Sequence, residues 1–339
     1  MDRSRGPDRG SQAAQGGSGS MGARCFDTRT VVSLGAVGVA RPLPTTRMSD
    51  FLQKYVDFVR GVVLDYEFDP DHLLMSLGMV ALVLLIDLAY TGFRGSALDR
   101  ILVFDRSARM DLVYYLLDAF KLFSLVSFLV TFGVCYALVG LVQGLWSEPL
   151  LPMVNEHVKF VLVFLLSDLK NYVRHYVFHR VDFLWNLHAV HHSATSFTVF
   201  TTSRGHFIEL EISRFFDVLP LMLLGLPLHT YFLLRFIVQV QQLIIHSSIA
   251  SDWGWIGRYV LVSPAAHRVH HSIEERHFNR NYASIFIFWD RLFGTYHKAE
   301  KVAAIGIPAD PYNRGIVRDT VTALRLSLGT LYRRLSPKR

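Results

Sequence analysis

Cysteine is nearly absent. The chain of 339 residues has two, Cys25 and Cys135, too few for a disulfide scaffold or for a thiolate zinc or iron–sulfur site. Any metal must therefore be held by nitrogen or oxygen. Charge is also scarce: Asp, Glu, Lys and Arg make up 19% of the residues against 51% hydrophobic ones, a balance that points to a membrane protein rather than an ordinary soluble domain. No Lys- and Arg-rich patch with interleaved aromatics occurs. Within the net charge of +7, seven Arg against three Asp in residues 1–47 leave +3 for the remainder. Nucleic acid is therefore not an expected partner, and a modest basic excess suits anionic lipid. No His-Glu-x-x-His stands in the chain, which disfavours a metalloprotease.

What the chain does have is histidine. Of its 15 imidazoles, 12 lie between His175 and His277. His175 and His179 are four apart and share a face if the segment is helical. His188, His191 and His192 repeat the spacing at i, i+3 and i+4, and His267, His270 and His271 repeat it again. His246 ends an apolar stretch just before the last cluster. These clusters alternate with apolar runs, unlike a contiguous polar metal-storage tract. Imidazole is the commonest metal ligand near neutral pH, and nine such side chains suit two metal ions better than one. The Glu-x-x-His pattern of soluble di-metal bundles occurs once, at Glu274 to His277. Gln242, four before His246, and Asp182, just ahead of the second cluster, are candidates to fix ring tautomers from behind.

The rest reads as helices in a bilayer, giving an all-α fold. Residues 1–47 are rich in Gly, Ser and Arg and are expected to be a disordered or non-native extension, with Met48 as the natural start. Residues 48–146 read as an N-terminal transmembrane region, with spans at Leu73–Tyr90 and Leu122–Val142. Residues 147–300 read as the metal-binding domain, in which a third apolar helix from Val158 to Leu169 runs into the first histidine pair. Phe215–Ile245, broken at Pro220, Gly225 and Pro227, reads as a helical hairpin that dips in and returns. Residues 301–339 form a basic tail, amphipathic from Arg314 and able to lie on a membrane surface. About three spanning helices, the hairpin and a helical cap holding a di-metal site follow. The Arg-rich loop 94–109 should be cytoplasmic, which puts the histidines there too: an inner membrane in a bacterium, the endoplasmic reticulum in a eukaryote.

The order of these clusters, followed by Asn281-Tyr282 and Trp289-Asp-Arg-Leu-Phe-Gly-Thr-Tyr296, resembles the fatty acid hydroxylase / sterol desaturase superfamily of membrane histidine-box di-iron oxygenases, over roughly residues 70–300. The resemblance implies two non-haem iron ions, O2 and oxidation of a lipid C–H bond by hydroxylation or desaturation, on a sterol, fatty-acyl or ether-lipid type of substrate. It implies His175, His179, His188, His191, His192, His246, His267, His270 and His271 as ligands. Asp168 matches the acidic residue before the first box. Arg204, His206 and Glu209 match an Arg-x-His-Pro-x-Glu element in which Phe207 replaces proline, and Ala283 replaces the glycine that usually follows Asn-Tyr. His206, His277, Asp168, Asp182, Gln242 and Asn281 are then additional or supporting groups. No haem-binding His-Pro-Gly-Gly and no cysteine cluster is present, so electrons are expected from a separate ferredoxin, cytochrome b5 or reductase type of protein. A multi-histidine membrane metal transporter and a non-catalytic family member are the alternatives. The transporter would place its ligands near mid-bilayer.

Overall fold

The computed structural model describes residues 70–120, 122, 126, 153–224 and 228–336. These are mostly helical, and no β-strand occurs among them; two isolated bridges, Leu261 to Phe286 and Ser272 to Ile305, are the extended pairings. The expected span Leu122–Val142, apart from Leu122 and Val126, residues 1–47 and the boundaries at 47/48 and 146/147 fall outside the described residues.

Helix α1, Pro70–Thr91, is long and apolar enough to cross a membrane, and it is the one such helix among the described residues. One face shows Leu74, Leu82, Leu85 and Tyr90 outward, and the other buries Met79, Val80 and Val83 against Tyr115, Val199, Phe200 and Leu243. Asp87, the one carboxylate that interrupts the apolar run, is buried. It accepts from the backbone of Ala97 at 2.9 Å and of Ser248 at 2.8 Å. A buried carboxylate with two amide donors is satisfied, and this one ties the end of α1 to the segment just after His246.

Short α2 (Ala97–Leu102) and α3 (Arg106–Ala119) follow. The Asp105 carboxylate caps α3 by accepting from Ala108 N at 2.9 Å. Helix α4, Glu156–Arg180, runs 25 residues from an Asn155 cap, longer than the apolar stretch predicted, and carries Lys159, Asp168, Lys170 and Arg174 within it. A single extended residue, Val181, ends α4 and starts α5, Asp182–His192. That sharp joint folds the first histidine pair back onto the second cluster.

After a 3₁₀ turn at Val199–Ser203 come α6, Phe207–Leu224, and α7, Leu228–Ile245. The predicted break at Pro220 is not there: α6 continues through it, and the interruption falls after Leu224. Pro220 lies within an 18-residue helix, where neighbouring helices can absorb the lost hydrogen bond. Helix α8, Gly254–Tyr259, leads to α9, Pro264–His270, whose start carries two signals: the Ser263 hydroxyl accepts from Ala266 N at 3.2 Å and Pro264 stands in the first turn. Helix α10 is Phe288–Leu292.

The tail folds back over the histidine layer. Ile273 N donates to Ala304 O at 3.2 Å and Gly306 N to His271 O at 2.9 Å. Helix α11, Ile316–Leu335, then packs along α5, fixed by Ser327 donating to Phe183 O, Tyr312 to Asn186 O at 2.9 Å and Asn186 to Thr330 at 3.2 Å.

Candidate metal centre

The chain brings nine histidines together in two groups. His175, His179, His188, His192 and His270 form one, His191, His246, His267 and His271 the other, and within each group the candidate ligand atoms lie within 4.8 Å of one another. The two three-histidine clusters are split in opposite senses. On α5 the i, i+4 pair His188 and His192 faces the five-ring group while His191 faces the other. At the end of α9 the pair His267 and His271 faces the four-ring group while His270 crosses over. Adjacent residues on a helix point about 100° apart, so each doublet serves both groups. His192 and His271 stack between them at 4.1 Å.

Hydrogen bonds fix the rings. Nδ1 of His175 donates to Tyr282 O at 2.7 Å, that of His191 to Arg204 O at 3.0 Å, that of His246 to Gln242 O at 2.8 Å and that of His270 to Arg280 O at 2.7 Å. Nδ1 of His188 donates to the Glu209 carboxylate at 2.7 Å. Each such bond leaves Nε2 bare. Yet Nε2 of His175 faces Nε2 of His188 at 3.1 Å, and Nε2 of His191 faces Nε2 of His246 at 3.2 Å. Bare lone pairs do not attract one another; a cation between them resolves the conflict. Two nitrogens bound at right angles to one metal at roughly 2.1 Å lie about 3.0 Å apart. Nε2 of His179, His192, His270 and His271 is buried with no partner in the protein, an arrangement that is costly unless a metal is the partner. Burial, reinforced by the neighbouring rings, pushes His191, His192, His267 and His271 well below the ordinary imidazole value and His270 down to about 3. These five rings are therefore driven toward the neutral state a metal needs.

The supporting groups differ from those expected. Backbone carbonyls set four of the tautomers, and they leave no side-chain signal in a sequence. Gln242 acts through its carbonyl, while its amide donates to Ser284 O at 3.4 Å. Asp182 touches no ring; it pairs at the surface with Arg334 at 2.7 Å. Asp168 accepts from Ile285 N at 3.1 Å and from Phe286 N and Trp289 Nε1 at 3.0 Å, so it pins the loop after the last cluster to α4. Asn281 stands at φ 55, a left-handed conformation that asparagine tolerates. Its amide donates to Ala266 O at 3.0 Å and His297 O at 2.9 Å. The residues on either side of it, Arg280 and Tyr282, present the carbonyls that hold His270 and His175. Asp290 supports the same loop, accepting from Tyr282 N at 2.8 Å and Thr295 at 2.7 Å. The Trp289–Tyr296 segment is thus a brace for two rings.

His206 is buried outside both groups, its Nδ1 accepting from Ile208 N at 3.2 Å. His277 joins His297 and Glu300 in a separate cluster, bonded to Glu300 at 2.7 Å, and the same carboxylate takes Arg276 at 2.8 Å. Glu209 is the carboxylate that reaches a ring of the two groups, His188. Glu209→Gln, which keeps the shape but weakens the bond to His188, is expected to lower metal affinity or activity by about 10–100-fold; metal titration of the purified variant checks this, and an unchanged affinity and activity would remove Glu209 from the centre.

A cavity of about 420 Å³ opens beside the five-ring group. His179, His192 and His270 line it, with Trp185, Phe278 and Tyr312 as aromatic walls; no ring of the four-ring group does. Trp185, which has no spacing signal in the sequence, packs on His179 at 4.9 Å and on His192 at 5.2 Å.

Residues 160–295 match the family model for fatty acid hydroxylase. Among curated proteins the chain is 30% identical over 147 residues to ornithine lipid hydroxylase OlsE of Rhizobium tropici, covering 43% of this chain and 44% of that one. It is 30% identical to human alkylglycerol monooxygenase over 42% of this chain and 32% of that one. It is 31% identical to human cholesterol 25-hydroxylase over 45% and 56%. The chain thus spans from about a third to just over half of these relatives' lengths. No solved structure matches it.

Proposed function

We propose, on the premise of the fatty acid hydroxylase match over residues 160–295, that the protein is a membrane-bound oxygenase that inserts oxygen into, or desaturates, a lipid C–H bond. The observation that carries the proposal is the pair of imidazole groups whose bare Nε2 atoms face one another at 3.1 and 3.2 Å. Imidazole donors suit iron, and iron held by the five-ring and four-ring groups would supply the oxidation of an unactivated C–H bond with O2. The chain does the rest. Tyr282, Arg204, Gln242 and Arg280 hold the Nδ1 protons away from the metal side. Burial holds His191, His192, His267, His270 and His271 well below the ordinary imidazole value. Trp185, Phe278 and Tyr312 give the cavity aromatic walls beside His179, His192 and His270, where a lipid carbon could approach.

The relatives are named for ornithine lipid, alkylglycerol and cholesterol, and a lipid of this general kind is the proposed substrate. Electrons would come from a separate protein of ferredoxin, cytochrome b5 or reductase type. The proposed setting is a multi-pass membrane protein: α1 crosses, Leu122–Val142 and the apolar start of α4 cross again, and α6 and α7 dip in. The cytoplasmic placement of the site is supported by the loop 94–109. Its Ser107 accepts from Thr195 N at 3.0 Å and its Asp105 from Ser196 at 3.0 Å, directly after the second cluster, so the loop carrying Arg94, Arg100, Arg106 and Arg109 shares its side with the histidines.

The test is direct. Membranes containing the wild-type chain or His191→Ala are given reductant, a donor protein and isotope-labelled O2, and their lipids are compared by mass spectrometry. Wild type is expected to yield a lipid carrying one labelled oxygen or one new double bond, and His191→Ala neither. Equal products from both would overturn the assignment.

A further inference from the structure

Helix α11 has an outer face that nothing among the described residues covers. Val317, Val321, Leu328, Tyr332 and Leu335 are 76%, 60%, 57%, 73% and 75% exposed, and at about 100° per residue they fall within about 60° of one another. Single exposed apolar residues are ordinary, but an apolar stripe five turns long is not. The charge beside it has one sign. Arg314, Arg318, Arg325 and Arg333 are exposed, and Arg334 is exposed but paired with Asp182, whereas the one carboxylate of the helix, Asp319, is 2% exposed and turned inward to accept from Arg314 N at 3.0 Å. Apolar stripe plus basic flank is the pattern of a helix lying in a membrane interface.

The position of α11 agrees. Asn313, just before it, accepts from Arg204 at 2.9 Å, and the same guanidinium donates to Ser107 O at 2.9 Å. The start of α11 is thereby tied to the arginine-rich segment that follows the membrane helix α1. That segment also turns apolar side chains outward, Leu102, Val103 and Phe104. On its inner side α11 contributes Leu326 to the wall of the cavity at the five-ring group.

We infer that α11 lies on an anionic bilayer surface, its Val317–Leu335 stripe immersed among the acyl chains and its arginines at the lipid phosphates, so that the cavity it walls is within reach of the lipid. The lipid at the cavity rests on the proposed oxygenase function. The position of the helix does not, and it is read without any measurement of oxidation.

The experiment uses the full chain in lipid nanodiscs with and without phosphatidylglycerol. In a background with Cys25 and Cys135 changed to serine, a bimane fluorophore is placed at Val321→Cys, Leu328→Cys or, as a water-facing control, Glu275→Cys. Nitroxide-tailed lipid is expected to quench the labels at 321 and 328 severalfold more than the label at 275, and aqueous acrylamide severalfold less. Arg318→Glu with Arg325→Glu is expected to remove the part of that quenching that depends on phosphatidylglycerol. Metal content and elution profile show that each variant is folded. Labels at 321 and 328 quenched by acrylamide as strongly as the control would overturn the proposal and leave the stripe as a surface for another protein. Excimer-type coupling between labels on two copies, with no lipid quenching, would overturn it in favour of self-association.

Discussion

Changing His270 to alanine is expected to bring lipid oxidation down to the uncatalysed background and to cost the five-ring group its metal. His270 is one of five donors there, and its ring also touches His175 at 4.5 Å, His179 at 4.7 Å and His192 at 4.7 Å, so its loss opens a void and frees its neighbours. On the proposed reading, metal analysis of the wild type should give about two ions per chain, one for each donor group that could hold one, and the variant should give one or fewer. His157→Ala, at the exposed start of α4, should leave both measurements unchanged. Stripping the metal from the wild type should lower its unfolding temperature, because a metal that binds only the folded chain stabilises it and the unpartnered nitrogens of His179, His192, His270 and His271 would be left buried. A His270→Ala protein that still oxidises lipid at the wild-type rate would end the catalytic reading.

The second large effect concerns no histidine. Arg204 and Asp111 form an ion pair at 2.5 Å with side chains 1% and 0% exposed. Arg204 also donates to Ser193 at 3.1 Å, Asn313 at 2.9 Å and Ser107 O at 2.9 Å, and its own carbonyl holds His191. Removing one partner of a buried pair strands the other charge, so Asp111→Ala is expected to lose about 3–5 kcal/mol of stability, read from denaturant or thermal unfolding in detergent. Replacing both, as Asp111→Leu with Arg204→Met, should cost less than either single change, because no charge is then left alone. A single variant within about 1 kcal/mol of wild type, the range of an exposed pair, would show that the pair is not the anchor its burial indicates.

How far the sequence could be read depended on the kind of signal each feature leaves. The nine histidines stood out because helical spacing and an apolar setting mark them, and the chain does gather them. Their division into two groups was not legible. It depends on α5 and α9 approaching from opposite sides, so that His191 and His270 each leave their own cluster. The tautomer-setting groups were missed for a related reason. Asp182 and the Gln242 amide had the right chemistry, but the carbonyls of Tyr282, Arg204, Gln242 and Arg280 were already in place, and any residue type supplies a carbonyl. Asn281 did carry a signal: it is a residue that accepts positive φ between two carbonyls that must aim at different rings. Helix α1 was legible from its apolar run alone. The break predicted at Pro220 failed because proline is a weaker stop inside a packed helix than its local effect on the backbone implies.

The doublets His191–His192 and His270–His271 have a further consequence. In each, one peptide unit joins a histidine of the five-ring group to one of the four-ring group, and successive Cα atoms are a fixed 3.8 Å apart. A twist of either helix would spoil both pockets at once. Loading should accordingly be cooperative, the first ion locking both doublets and presenting the second with a finished seat.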